Sequence, residues 1–427
     1  MALRCGARDS RFGTPKISMP GREILRRLLS AAAAAIVLCA GAAHADDKNV
    51  KIGVLTDMSS VYSDQTGPGS VVAAQMAVED SDLNAKGWKI EVVSADHLNK
   101  PDVGAGIARK WFDEDKVDVI ADAPNSGVAL AVAAIAKDKN RVLLDSGAAS
   151  TALTNEACTP NTVQWTYDTY MLAHGTATPV VKEGGDSWFF VTADYVFGKT
   201  LQAETSAVVA ANGGKVVGSV KAPLDTADFS SFLLQAQASK AKVIGLANAG
   251  GDTINAIKQA HEFGLIEGGQ KIAPLLFEIV DVPALGLETA QGLLFTVAFY
   301  WDMNEGARAF SRRFQERSPN HLMPTMIHAG VYAAVQHYLK VLETSGGNSH
   351  DGAAIVARMK ATPTDDALFG KGVIREDGRK IHNAYLYEVK KPSESKYPWD
   401  DFKLVATIPA EEAFKPLSTS TCPLVKK

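Results

Sequence analysis

The chain is 427 residues long, 46% hydrophobic and 22% charged, with a formal net charge of −4, an ordinary globular balance with enough length for two domains. Residues 1–45 hold seven of the 44 Lys/Arg and two of the 48 Asp/Glu, so a chain starting at Asp46 carries a net charge of −9. That acidity argues against nucleic acid and against an anionic membrane surface as partners.

In chain order, Arg22, Arg26 and Arg27 precede an apolar run from Leu28 to Ala43, which closes on Ala43-His44-Ala45. This is the pattern of a secretory signal peptide cut near Ala45, and it predicts an exported protein. The run is mostly alanine and marginal as a membrane span. Leu38 stands where a small residue would precede a lipidated Cys39, and Met19 is a second possible start. No later apolar segment is long enough to cross a bilayer, so direct membrane insertion is not expected. Of four cysteines, Cys5 and Cys39 leave with the signal. Cys158 and Cys422 remain, either as a disulfide tying the tail to the region near Cys158 or as two free thiols.

From Val50 short β-rich runs alternate with helical patterns: VKIGVL, a helix over Val71 to Leu83, WKIEVVSA, a helix over Asp102 to Phe112, VDVIA, a helix over Val128 to Lys137, and RVLLD. Such alternation is the signature of a parallel sheet covered on both faces. It restarts after Trp165: a helix over Tyr170 to Lys182, SWFFVT, a helix over Thr200 to Ala211, KVVGSV, a helix near Phe229 to Ala238, KVIGLA, a helix near Thr253 to Phe263, and KIAPLLF. Two successive α/β units predict two lobes of similar build. In the last third, GLLFTVAFYWD reads as a connecting strand, with helices at Ala307 to Arg317 and Ile327 to Leu342. GVIREDGRK and NAYLYEV read as an antiparallel hairpin turning at Asp377-Gly378. The polar KKPSESKYPWDD reads as an exposed loop.

Ligands of open α/β sheets bind beyond the carboxyl ends of the strands, which directs attention to the loops there. The stretch from Arg141 to Thr151 is a buried strand ending in glycine, alanine and hydroxyl residues. There a ligand can approach backbone N–H groups, and Ser146, Ser150 and Thr151 add hydroxyls. The loop after Leu55 offers Ser59, Ser60 and Tyr62. APNSG places Asn125 and Ser126 at a helix start, which favours an anion. In the second unit the loops supply Tyr195 and Phe197, then Asn248 and Asp252, then Glu278. Each has a plainer reading: Ser150, Thr151, Asn125 and Asp252 as N-caps, Tyr195 and Phe197 as packing, Glu278 as a solvent-facing carboxylate.

At these loops the chain resembles the type I periplasmic substrate-binding proteins of branched-chain amino acid ABC transporters, the leucine-binding protein family. The resemblance spans nearly all of the chain after the signal. It rests on IGVLTDMSSVY, on Ser126 opening its helix, on SGAAST as an S-x-A-A-[ST] ligand loop, on Tyr195-x-Phe197-Gly198, and on EDGRKIHNAYLYEV. It implies an α/β fold of two Rossmann-like lobes with three hinge crossovers, near Trp165, Ala298 and Thr364, closing on a ligand. The implied lobes are residues 46–165 with 299–364 and residues 166–298 with 365–412, followed by a tail at 413–427. By position, Ser126, Ala148 and Ser150 look like the anchor for a ligand carboxylate. Phe197 stands where amino-acid binders commonly place a tyrosine, which leaves room for an aromatic or other hydrophobic carboxylate. Asn248 to Asp252 and Glu278 correspond to positions that hold an ammonium group. The resemblance further implies a monomer of the periplasm, without a cofactor or metal, that serves a membrane permease.

Two other classes are open to an exported chain of this kind. An exported enzyme would need a catalytic motif, and neither Gly-x-Ser-x-Gly nor His-Glu-x-x-His occurs; Gly67-Pro68-Gly69 and Gly104-Ala105-Gly106 lack the third glycine of a dinucleotide loop. A soluble ligand-sensing co-receptor would share the same binding loops.

Overall fold

The computed structural model describes residues 13–15, 48–344 and 348–426; the predicted signal peptide lies outside these apart from residues 13–15. Of the two compact units into which the chain divides, Met1–Asp47 and Lys48–Lys427, the second carries all the elements below.

Five parallel strands form the first sheet: β1 (Asn49–Thr56), β2 (Lys89–Asp96), β3 (Val119–Asp122), β4 (Val142–Asp145) and β5 (Thr162–Gln164), in the order β2-β1-β3-β4-β5. Every residue of β3 and β4 is buried, whereas edge strand β2 is half-exposed along its length. Helices cover both faces of the inner strands, which is why VIAD and VLLD carry no alternation. The second sheet repeats this plan with β6 (Ser187–Ala193), β7 (Lys215–Ala222), β8 (Val243–Ala247) and β9 (Lys271–Pro274), in the order β7-β6-β8-β9. Here β6 and β8 are wholly buried and β7 is the exposed edge.

The chain passes between the halves three times. Residues 165–168 lead from β5 to helix Thr169–Lys182. After β10 (Leu294–Val297) the chain returns, and helices Glu305–Arg317 and Met326–Thr344 pack against helix Gly67–Glu79 of the first half. The third passage is longer. It runs through a small antiparallel sheet of β11 (Thr364–Asp366), β12 (Gly370–Ile374) and β13 (Lys380–Ile381), and ends in β14 (Ala384–Val389), which pairs antiparallel with β10 and with β15 (Phe402–Ile408). Among the described residues no helix is long and apolar enough to cross a membrane.

Four details differ from expectation. The first helix begins at Gly67 rather than Val71, because Pro68, which costs nothing in a first helical turn, is inside it. The Asp377-Gly378 turn exists, with Gly378 N–H donating to the Arg375 carbonyl, but its arms are β12 and β13. NAYLYEV leaves that hairpin because His382 is buried and its Nε2 bonds the Thr166 carbonyl, which turns the chain toward the other sheet. Strands β5 and β15 and helix Gly352–Ala361 were not foreseen. KKPSESKYPWDD is exposed only in part: Asp400 and Asp401 are buried, and the Trp399 carbonyl accepts bonds from Tyr300 and Trp301. The two remaining cysteines are joined: Cys158 and Cys422 form a disulfide with a Cα–Cα distance of 5.7 Å across a separation of 264 residues.

Candidate functional site

In each parallel sheet the strand order reverses once, beside β1 in the first and beside β6 in the second, and the loops leaving those points face one another. Such switch points open a crevice by construction. Tyr62, Gln65 and Thr66 follow β1, Pro124 follows β3 and Gly147 follows β4. From the other side come Tyr195 and Phe197 after β6, Ala249 after β8 and Leu276 after β9. Tyr167 of the first passage and Ile327 complete the lining of one small cavity. Its volume is about 10 Å³, room for roughly one water, so the cleft is shut around it.

Hydrogen bonds hold it shut. The hydroxyls of Tyr62 and Tyr195 meet at 2.7 Å. Gln65 Nε2 donates to both carboxylate oxygens of Asp281, at 3.0 and 2.9 Å. Thr151 Oγ1 donates to Glu204 at 2.7 Å, Gly251 N–H donates to the Val61 carbonyl at 2.9 Å, and the hydroxyls of Ser150 and Thr200 lie 3.4 Å apart.

The cavity is also where four helices begin. Thr66, Tyr195 and Ala249 are the N-cap residues of helices Gly67–Glu79, Val196–Ala211 and Gly250–Glu262, and none of the three caps its helix with its own side chain, although Gly67 N–H donates to Thr56 Oγ1 at 3.0 Å. Pro124 directly precedes Asn125, whose side chain caps helix Ser126–Asp138 by accepting from Gly127 and Val128 N–H. Four helix N-termini therefore lie at the cavity; several of their first N–H groups are bonded within the protein, but the positive ends of the four dipoles suit an anion.

Behind the lining, the loop from Asp145 to Thr151 is already braced. Ser150 N–H donates to Ser126 Oγ at 3.3 Å, Ala148 N–H donates to Asp145 at 2.9 Å, and Ala152 N–H donates to Ser150 Oγ. Gln164 Nε2 donates to the carbonyls of Ala148 and Ser150, and Tyr167 OH donates to Gly147 O at 2.7 Å. In this closed conformation Gly147 lines the cavity, whereas Ser126, Ala148 and Ser150 are buried behind it and Ser146 Oγ is buried without a partner. Of the other expected residues, Tyr62, Tyr195 and Phe197 line the cavity. Ser59 is exposed and donates to Asp96. Asn248 accepts from Thr253, and Asp252 accepts from the N–H groups of Asp225 and Thr226, clamping that loop. Glu278 is buried and accepts from Met326 N–H with one oxygen, while the other has no partner.

Burial dominates the electrostatics. It pushes the Tyr62 phenol well above its usual range, with Tyr195 adding to the effect. It raises Glu278 well above the carboxylate range, helped by the charge of Asp281, and lifts Asp281 and Asp252 to about 7. Near neutral pH these carboxyls behind the cavity are thus only partly ionised, which lessens their repulsion of an anionic guest.

Gln65, Thr66, Pro124, Gly147, Tyr167, Ala249, Leu276 and Ile327 were not singled out from sequence. Most share a loop with a residue that was; Tyr167 carried only its nearness to Trp165 as a signal.

Two α/β halves hinged by three passages, with a cleft at their facing switch points, define a two-lobed binding protein. The model of the periplasmic binding protein family matches residues 49–396. The chain is 50% identical to a periplasmic binding protein from Burkholderia mallei, covering 89% of this chain and all of that one at a TM-score of 0.85. It is 40% identical to a branched-chain amino acid ABC transporter periplasmic ligand-binding protein from Burkholderia xenovorans, over 88% and 99% of the two chains with a TM-score of 0.76. Leu/Ile/Val-binding protein homolog 6 of Brucella melitensis is 26% identical over 383 residues, 87% of this chain and 95% of that protein. More distant solute-binding proteins from R. palustris, solved with 4-hydroxybenzoate and with benzoate, are 22% and 20% identical and show the fold alone. The chain belongs to the periplasmic binding protein family, within the type I proteins of branched-chain amino acid ABC transporters.

Proposed function

We propose that this protein is the periplasmic substrate-binding component of an ABC importer, not an enzyme, and that it captures a small aromatic or hydrophobic carboxylate between two closing lobes before presenting it to a membrane permease. The observation that carries the reading is the meeting of four helix N-termini at a cavity walled by Tyr62, Tyr167, Tyr195 and Phe197. Donors and dipoles favour a carboxylate, and the rings favour a flat apolar body. Phe197 lacks the hydroxyl that the amino-acid binders' tyrosine would supply. The benzoate and 4-hydroxybenzoate held by the distant relatives belong to the same chemical class.

Ser126, Ser146, Ala148 and Ser150 are proposed to seat the carboxylate on lobe 46–165 with 299–364. In lobe 166–298 with 365–412, Tyr195, Phe197 and the neighbourhood of Glu278, Asn248 and Asp252 choose the rest of the ligand, while Ser59 and Tyr62 belong to the first lobe's rim. A cavity of about 10 Å³ holds no such ligand, so entry requires the lobes to part, and the bonds across the cleft then exchange for bonds to the guest. A thermal-shift screen of the chain from Asp46 against benzoate, 4-hydroxybenzoate, L-leucine, L-valine and small amides tests the reading, because a ligand specific to the folded form raises the melting temperature. An aromatic acid is expected to give the largest shift. A response confined to branched-chain amino acids would overturn the proposed ligand class.

A further inference from the structure

The cleft does not account for residues 409–426. Strand β15 lies in the sheet of β10 and β14, and the short helix Ala410–Ala413 after it packs on helix Thr169–Lys182 of the second half. Phe414 is then buried at the hinge. The Arg379 guanidinium lies 4.7 Å from its ring centroid, and His382 meets it edge-on at 5.2 Å. Those two residues grip the first passage: Arg379 Nη1 donates to the Tyr167 carbonyl at 2.7 Å, and His382 Nε2 bonds the Thr166 carbonyl at 2.9 Å. Arg375 donates to the Lys415 carbonyl at 2.8 Å. The tail ends on the first half, where Thr421 N–H donates to Asn155 Oδ1 and Cys422 is bonded to Cys158, both in the loop between β4 and β5.

We propose that residues 409–422, closed by the Cys158–Cys422 disulfide, form a fourth covalent connection between the lobes, a strap across the hinge that limits how far the cleft opens. The inference rests on the closing-cleft reading above. Three single-chain passages allow the lobes to swing. A segment tied at both ends, with Phe414 lodged among the groups that hold the first passage, removes the conformers in which its attachment points separate. Fewer open conformers mean less entropy in the open state, so the balance moves toward the closed state and the ligand has less to supply on binding. Reduction frees the tail beyond its packed portion and returns the wide conformers. The strap thus makes the affinity of the cleft depend on the oxidising power of the compartment.

The test uses hydrogen exchange in the ligand-free protein. Gly251 N–H is bonded across the cleft to Val61 O and exchanges when the cleft opens; Phe190, fully buried in β6, reports the stability of the lobe. Both are followed in the oxidised protein, after reduction with a phosphine, and in Cys158→Ser/Cys422→Ser. Gly251 is expected to exchange about fivefold faster in both disulfide-free forms, with Phe190 unchanged within about twofold. Equal Gly251 rates in all three forms would overturn the strap. So would equal acceleration of both amides, which would reduce the disulfide to a general stabiliser. A Gly251 amide already unprotected in the oxidised protein would overturn the closed cleft on which the strap depends, and so separates that failure from the other two.

Discussion

Ser126 Oγ accepts from Ser150 N–H in the closed conformation, and on the proposed function a carboxylate entering the cleft would take over that N–H together with the serine hydroxyls. Replacing both by alanine is expected to weaken the ligand found by screening by about 2 kcal/mol, the size of a charge-assisted hydrogen bond. Titration calorimetry measures this, and a loss below about 1 kcal/mol would remove the two serines from the anchor. Asp122, beneath the same loop, is a different kind of residue. It is fully buried, and burial lifts its pKa to about 7, with the nearby hydroxyls of Ser70 and Thr56 offsetting only part. In the unfolded chain an aspartate titrates near 3.9. Between about pH 4 and 7 the folded chain therefore holds the extra proton, and stability falls as pH rises through that window. Its backbone φ of 80° suits asparagine. Asp122→Asn should gain on the parent by about 2 kcal/mol between pH 5 and pH 8 in urea unfolding, and parallel pH profiles would contradict this.

At the scale of elements, the start of helix Gly250–Glu262 governs closure. Gly250 has a φ of +57°, and a Cβ there would meet the Val61 carbonyl at 2.1 Å; at Gly251 the nearest atom is Val61 Cγ1 at 3.5 Å, an ordinary contact. Gly250→Ala should therefore hold the lobes apart and weaken the ligand at least about tenfold, or about 1.4 kcal/mol, while Gly251→Ala leaves affinity within about twofold. Equal effects in calorimetry would show that close approach at Gly250 does not matter. The same helix shows where sequence reading stops. Long apolar runs bounded by breakers revealed both parallel sheets and most of the loops that line the cavity. Which face of a loop looks inward depends on where the helix begins, and a positive φ at Gly250 sets that. Ala249 consequently lines the cavity, while Asp252 turns to clamp residues 225–226. Strand β5 is too short for periodicity to show, and β14 departed from the predicted hairpin because a buried histidine redirects the chain.

For the whole molecule, an aromatic wall, a donor-rich seat and a hinge together support the proposal that an aromatic or hydrophobic carboxylate is captured between two lobes that part to admit it. The 50% and 40% identical structures establish the family and the fold; the proposed ligand class rests on the residues facing the cavity. Titration calorimetry of protein stripped of any carried ligand, with 4-hydroxybenzoate and L-leucine in parallel, tests this most directly. One-to-one binding of the aromatic acid is expected, stronger than L-leucine by at least about tenfold and with a negative heat-capacity change from burial in the closing cleft. Tighter binding of L-leucine would contradict it.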